Sequence, residues 1–163
     1  MSTPAFLQSF LAHERGLFAK VVDAVPEEGL DHRPDPKSRC ARDLIEHLIG
    51  HNLDMAELID EGVIHHRNQV SFDSLEEGRR HLDESFGVVI EKLGAMSQDA
   101  WAQPARFYVG DQVIMEAPRG QLAWLLFLDS VHHRGQLSTY LRPMGGRVPA
   151  IYGPSADDQG MAQ

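Results

Sequence analysis

Apolar residues recur along this chain at spacings of three and four, the period of helices that bury one face. In the first such stretch Phe6, Phe10, Leu17 and Val21 share a stripe, with Leu7, Leu11, Phe18 and Val22 beside it. Thr3 followed by Pro4 predicts an N-cap with proline at the first helical position. Pro26 and Gly29 stop this helix near Val25. Residues 26–39 contain three prolines and no periodicity, which makes them a long connection. Such a connection lets the next helix start at the same end as the first.

A second helix is expected from about Ala41 to Glu61, with Leu44, Leu48, Met55 and Ile59 inward and Gly62 just past its end. A third is expected from about Ser74 to Leu93, with Ser71 or Asp73 as its cap and Gly94 behind it. Its apolar set is Leu75, Leu82, Phe86, Val89 and Leu93. Residues 98–103 predict a short helical turn ended by Pro104, and 106–115 a small hairpin about Gly110-Asp111. Pro118 then opens a last long helix reaching about Arg142, where Pro143, Gly145 and Gly146 end it. The tail, 143–163, is irregular. Four amphipathic helices of this length predict an all-α four-helix bundle in a single domain, 1–163. The long connections 26–39 and 94–117 favour an up-up-down-down path.

Composition narrows the partners. A net charge of −9 and a pI near 5.4, with no Lys/Arg cluster longer than a pair, exclude an ordinary nucleic-acid-binding surface. No apolar run approaches the ~20 residues that span a bilayer, and no cationic segment followed by an apolar run marks a secretory signal. The one cysteine, Cys40, cannot form an internal disulfide, which fits a reducing cytoplasm. Its only cationic sequence neighbours are Arg39 and Arg42, so it is a poor candidate nucleophile.

The chemistry lies in LLFLDSVHHRGQLSTY, residues 125–140. On a helix, Leu122, Leu126, His133, Leu137 and Tyr140 share one face, and Asp129 falls in the middle of it. An ionised carboxylate in an apolar stripe requires a counter-charge. Asp129 and His133, four apart, can reach one point, and a divalent cation there accounts for both. The second helix, DLIEHLIGHN, offers His47 at the edge of its stripe and His51 near Leu44 and Met55. Three N/O donors from two helices suit an open site for zinc, nickel or a similar ion. A metal-free Asp129–His133 ion pair satisfies the same local electrostatics. Of the other histidines, His13, His32, His65, His66 and His81 read as solvated surface groups, and His132 as a packed group beside the site.

HHRGQLSTYLRPMGGRVP, together with the earlier DLIEHLIGHN, resembles the DinB-like (DinB/YfiT) superfamily of small bundle proteins over nearly the whole chain. The resemblance implies an up-up-down-down bundle and a divalent metal held by three side chains, usually histidines, one from the second helix and two from the last. His47 and His133 match two of these positions, with His51 the rival to His47; Asp129 stands where the family has its middle histidine. Aspartate remains a competent oxygen donor, but it makes the metal centre less positive. The resemblance also implies a thiol S-transferase using low-molecular-weight thiols, or a metal-dependent hydrolase, with His132, Gln136 or Tyr140 orienting substrate or donating a proton. A metal-binding stress or interaction protein without turnover is the alternative. A small-molecule thiol or electrophile is then the expected partner. A homodimer is expected too, built on apolar residues such as Trp101, Phe107, Tyr108 and Ile151.

Overall fold

The computed structural model describes residues 3–67 and 70–158. Its long helices are α1 (Pro4–Asp23), α2 (Ala41–Glu61), α3 (Leu75–Ala95) and α5 (Arg119–Tyr140), with a short α4 (Gln98–Ala102) between the last two. Their ends follow the signals in the chain. The Thr3 side chain accepts from Phe6 N at 3.1 Å, and Gly62 caps α2 in the left-handed conformation at φ 73°. For α3 the cap is Ser74 itself, which accepts from Glu77 N, rather than Ser71 or Asp73.

The chain is not all-α. Beside the helices lies a three-stranded sheet of β1 (Val63–Ile64), β2 (Pro104–Val109) and β3 (Gln112–Pro118). The expected hairpin is present and extends beyond 106–115, turning at Gly110 (φ 59°). β1 adds to it in parallel, with Val63 opposite Arg106 and Ile64 opposite Phe107. Two residues are too few to show a period of two, so the pattern could not announce this strand.

Helix directions follow from the residues that meet. Gln8, early in α1, donates to the Ile90 carbonyl late in α3 at 2.9 Å, while Asp23 pairs with Arg79 at 2.9 Å, so α1 and α3 are antiparallel. Asn52 donates to Ser85 at 3.0 Å and Lys92 meets Asp60 at 2.7 Å, so α2 and α3 are parallel. Arg119 donates to the Ile59 carbonyl at 3.0 Å and His51 meets Ser130 at 3.2 Å, which sets α5 antiparallel to α2. Glu14 pairs with Arg134 and the Phe6 ring packs on Trp124, so α5 runs with α1.

The path these contacts give is up-down-down-up, which corrects the expected up-up-down-down. Residues 24–40 do not run along the bundle. They are taken up by a 3-10 turn (Glu27–Gly29) and by capping, with Arg42 N bonded to the Leu30 carbonyl and the Glu27 carboxylate accepting from Leu75 N at 3.1 Å. The start of α2 therefore sits where α1 finishes. Residues 62–74 must run back instead; at about 3.3 Å per residue they can cover about 40 Å, more than the ~31 Å of a 21-residue helix.

Phe18, Phe86, Leu44, Leu58, Leu93 and Leu122 fill the space between the helices, all of them fully buried. Trp101, expected at an interface, is buried within the chain, and its indole lies so close to Gly120 that a Cβ there would fall 2.2 Å from the ring. Phe107, Tyr108 and Ile151 are half-buried. The large apolar side chains most open to solvent are Tyr152, Leu128, Val109, Ile114 and Phe6, with Phe10 less so. Among the described residues no helix is long and apolar enough to cross a membrane. The tail follows turns after α5 and is irregular to Asp158; the expectation for 159–163 lies outside the described residues.

Candidate metal centre

On α2, His47, His51 and Asp54 sit at i, i+4 and i+7, one face of the helix, and all three are buried. The antiparallel α5 brings Asp129 and His133 to the same level. Asp129 Oδ2 stands 3.4 Å from His51 Nε2, 3.4 Å from His133 Nε2 and 3.9 Å from His47 Nε2. The His47 and His51 side chains are 5% and 3% exposed and that of His133 is 15% exposed, whereas Asp129 is 47% exposed. The carboxylate is thus at the mouth of the cluster, not sealed in the apolar stripe as its helix position suggested. The cluster opens to solvent on the Asp129 side.

Backbone carbonyls fix where the protons lie. Ser130 Oγ donates to the Leu126 carbonyl at 2.9 Å, so toward His51 it accepts, and His51 carries its proton on Nδ1. A longer relay does the same for His133. Tyr140 OH donates to the Arg39 carbonyl at 3.3 Å and accepts from Gln136 Nε2 at 3.3 Å; Gln136 Oε1 then accepts from His133 Nδ1 at 3.0 Å. Both Nε2 atoms face Asp129 Oδ2, and in the neutral imidazole each carries the lone pair.

Neither α2 histidine relieves this by taking a proton. Burial, then neighbouring His51, Arg39, His133 and His66, pushes His47 down to about 3; burial, then His66, His133 and Arg39, pushes His51 down to about 3. Their contacts with Asp129 are consequently not ion pairs at neutral pH, whatever their distance. His47 Nδ1 is buried with no hydrogen-bond partner among the described residues, and its Nε2 lies beyond hydrogen-bond reach of Asp129. Neutral nitrogen donors beside a carboxylate, with an unsatisfied imidazole at the centre, form a set that could bind a divalent metal ion.

The structure brings together His47, Asp129 and His133, with one ligand atom of each within 4.8 Å of the others. His51 lies beside them, so the two α2 histidines stand together, their rings 4.1 Å apart. Gln136 and Tyr140 stand behind His133. His132 is exposed on the outer side of α5, not packed, with its ring 5.1 Å from that of His133.

His66, read from the sequence as a surface group, is at the cluster. Its ring lies 5.6 Å from His47 and 5.7 Å from His51, and its Nδ1 bonds Asp54 Oδ2 at 2.7 Å. The signal for His66 was Asp54, a carboxylate on the buried face of α2 that burial pushes above the usual carboxylate range. Of the remaining histidines, His13 is exposed, while His65 pairs with Glu57 at 2.6 Å and His81 meets Glu77 at 3.7 Å. His32 packs on Tyr140.

The sequence profile of the DinB family matches residues 1–161. An uncharacterized protein of Bacillus subtilis, YrdA, is 37% identical over 75 residues, which cover 46% of this chain and 42% of that protein. The chain thus aligns with less than half the length of that relative. Crystal structures of two DinB-like proteins share the fold. One, YjoA from Bacillus subtilis, superposes with a TM-score of 0.70 at 16% identity over 93% of this chain and 97% of its own. The other, from Bacillus cereus, gives 0.72 at 20% identity over 90% and 95%.

Proposed function

This chain belongs to the DinB family, and on that footing we propose that it is a divalent-metal protein in which His47, Asp129 and His133 hold zinc or nickel. The carrying observation is the meeting of Asp129 Oδ2 with two imidazole Nε2 atoms at 3.4 Å, while Nδ1 of each ring is engaged by Ser130 or Gln136. Acceptors facing acceptors repel, and a cation between them turns the repulsion into attraction. A metal-free Asp129–His133⁺ pair answers only one of these contacts.

When bound, such an ion is a Lewis acid that lowers the pKa of a thiol or water and supplies a nucleophile at neutral pH. Metal-dependent S-transfer from a low-molecular-weight thiol to an electrophile, in detoxification or stress response in the cytoplasm, is the activity proposed. The chain's own residues contribute orientation and charge. Ser130 fixes the His51 ring, and the Gln136–Tyr140–Arg39 relay fixes His133. The Arg39 charge acts on both α2 histidines and offers attraction to an anionic thiol. The half-exposed Asp129 leaves a route in. His132, exposed next to His133, is the candidate proton carrier.

We propose further that the protein is a homodimer, through α1 and α5. Both helices expose apolar side chains, Phe6 and Phe10 on one and Leu125 and Leu128 on the other, and the Phe10 ring meets Trp124 at 5.8 Å. Light scattering should return twice the chain mass, and Leu128→Glu should return the monomer.

Elemental analysis of untagged protein tests the metal; well below one ion per chain would sink the proposal. Electrophiles offered with a panel of biological thiols test the transfer. Stoichiometric metal with no thiol-dependent turnover would favour a non-catalytic stress or interaction protein, and hydrolysis without a thiol would favour a hydrolase.

A further inference from the structure

His66 is held as if its position mattered. It is the one non-glycine residue with positive φ (45°) among the described residues, a conformation that persists where the surroundings dictate it. On its N-terminal side, β1 is locked to β2 through Ile64 and Phe107, and the Phe107 ring lies 5.7 Å from the His66 ring. The two residues after β1 then meet successive turns of α2. His65 turns outward, its backbone N and its Nδ1 both on the Glu57 carboxylate and its ring stacked on Tyr108. His66 turns toward the cluster, and Asp54 Oδ2 accepts a hydrogen bond from its Nδ1.

In the neutral ring, a proton on Nδ1 makes Nε2 the ligating nitrogen. A carboxylate–imidazole pair of this kind is the arrangement that fixes the tautomer and raises the basicity of a ligating histidine. The surroundings match: one ligand atom from each of His47, His51 and His66 lies within 4.8 Å of the others. The cluster therefore contains two donor sets that share His47, one including Asp129 and His133 and the other all imidazole.

We infer that His66 is a further ligand of the metal centre, delivered by the α2–α3 connection and oriented by Asp54. This inference rests on the metal reading above. It implies that a chain with aspartate at the rim still offers a borderline ion an imidazole-rich shell, with the additional nitrogen coming from the connection and not from α5. The α2–α3 connection would then be tied to metal binding, although no bundle helix contains His66.

The test is zinc affinity by chelator competition, with cobalt(II) absorption reporting the ligand shell, on wild type, His66→Asn and His65→Asn. Asparagine tolerates positive φ, and a urea titration of each metal-free variant checks the fold. His66→Asn should bind zinc at least tenfold more weakly and change the cobalt absorption, with His65→Asn unchanged in both. Long-range proton–nitrogen spectra of wild type give a reading that needs no variant: the His66 Nε2 resonance should move on adding zinc. Less than a tenfold loss with unaltered absorption, or a His66 resonance that stays put while zinc binds, overturns this inference and leaves the metal reading standing. Wild type that takes up neither zinc nor nickel overturns both.

Discussion

Asp129 Oδ2 faces His51 Nε2 at 3.4 Å across the contact between α5 and α2, an anion set against a nitrogen lone pair. Metal-free protein must tolerate this repulsion, and metal-bound protein benefits from it. Asp129→Asn should therefore leave metal-free stability equal or higher in urea titrations. It should weaken zinc binding by at least the roughly 10–100-fold that disturbing a ligand's hydrogen-bonded partner costs. Metal-free protein destabilised by the change, with zinc affinity intact, would show that Asp129 has a structural role alone.

The depressed His47 and His51 protonation predicts how stability varies with pH. Both rings sit near 3 in the folded protein and near 6.5 when unfolded. Between these values the unfolded chain binds protons that the folded chain refuses, so metal-free stability is highest above about 6.5 and falls as pH drops. The slope is up to about 1.4 kcal/mol per pH unit for each histidine. Asp54 acts in the opposite sense, because its raised folded value favours proton uptake by the folded state at pH above 3.8. Urea midpoints of chelator-treated protein from pH 7 to 4.5 should fall accordingly, and His47→Gln should flatten the curve.

Tyr140 connects the site to the backbone at Arg39. Tyr140→Phe removes the hydroxyl that polarises Gln136 and, through it, His133. Stability should fall by about 1 kcal/mol, the net worth of a hydrogen bond, while zinc affinity falls about tenfold. A wild-type affinity in calorimetry would mean that the His133 ring is held by packing alone.

Glu14 and Arg134 predict a stability effect remote from the metal. Their side chains are almost wholly buried, and Arg134 also lies over the Phe18 ring at 4.5 Å and donates to Tyr152 OH at 2.7 Å. Arg134→Met strands the Glu14 charge and should cost about 3–5 kcal/mol. The double change Glu14→Gln with Arg134→Met should recover part of that in chemical denaturation. Tyr152 joins the pair from the tail, its hydroxyl donating to Glu14, so this cluster also pins the chain after α5 to the bundle.

Local pattern was enough for the long helices and for the face each candidate ligand takes on its own helix. The apolar period placed α2 and α5, and position on each helix put His47 with His51 on one face of α2 and Asp129 with His133 on one face of α5. Those facts depend on a fixed rise and a fixed rotation per residue, which any reader of the chain can apply. Three features depended instead on contacts between distant segments. The up-down-down-up order was set by Glu27 reaching Leu75 and Arg42 reaching Leu30, capping bonds that use up the length of the 24–40 connection. The exposure of Asp129 was set by how α5 lies against α2, because one residue's angle on its helix does not say how far the neighbouring helix covers it. His66 has no period to reveal it; it reaches the cluster because β1 pairs with a strand some forty residues later and Asp54 captures its ring. Periodicity determines which face of an element is inward, and only packing determines what that face meets.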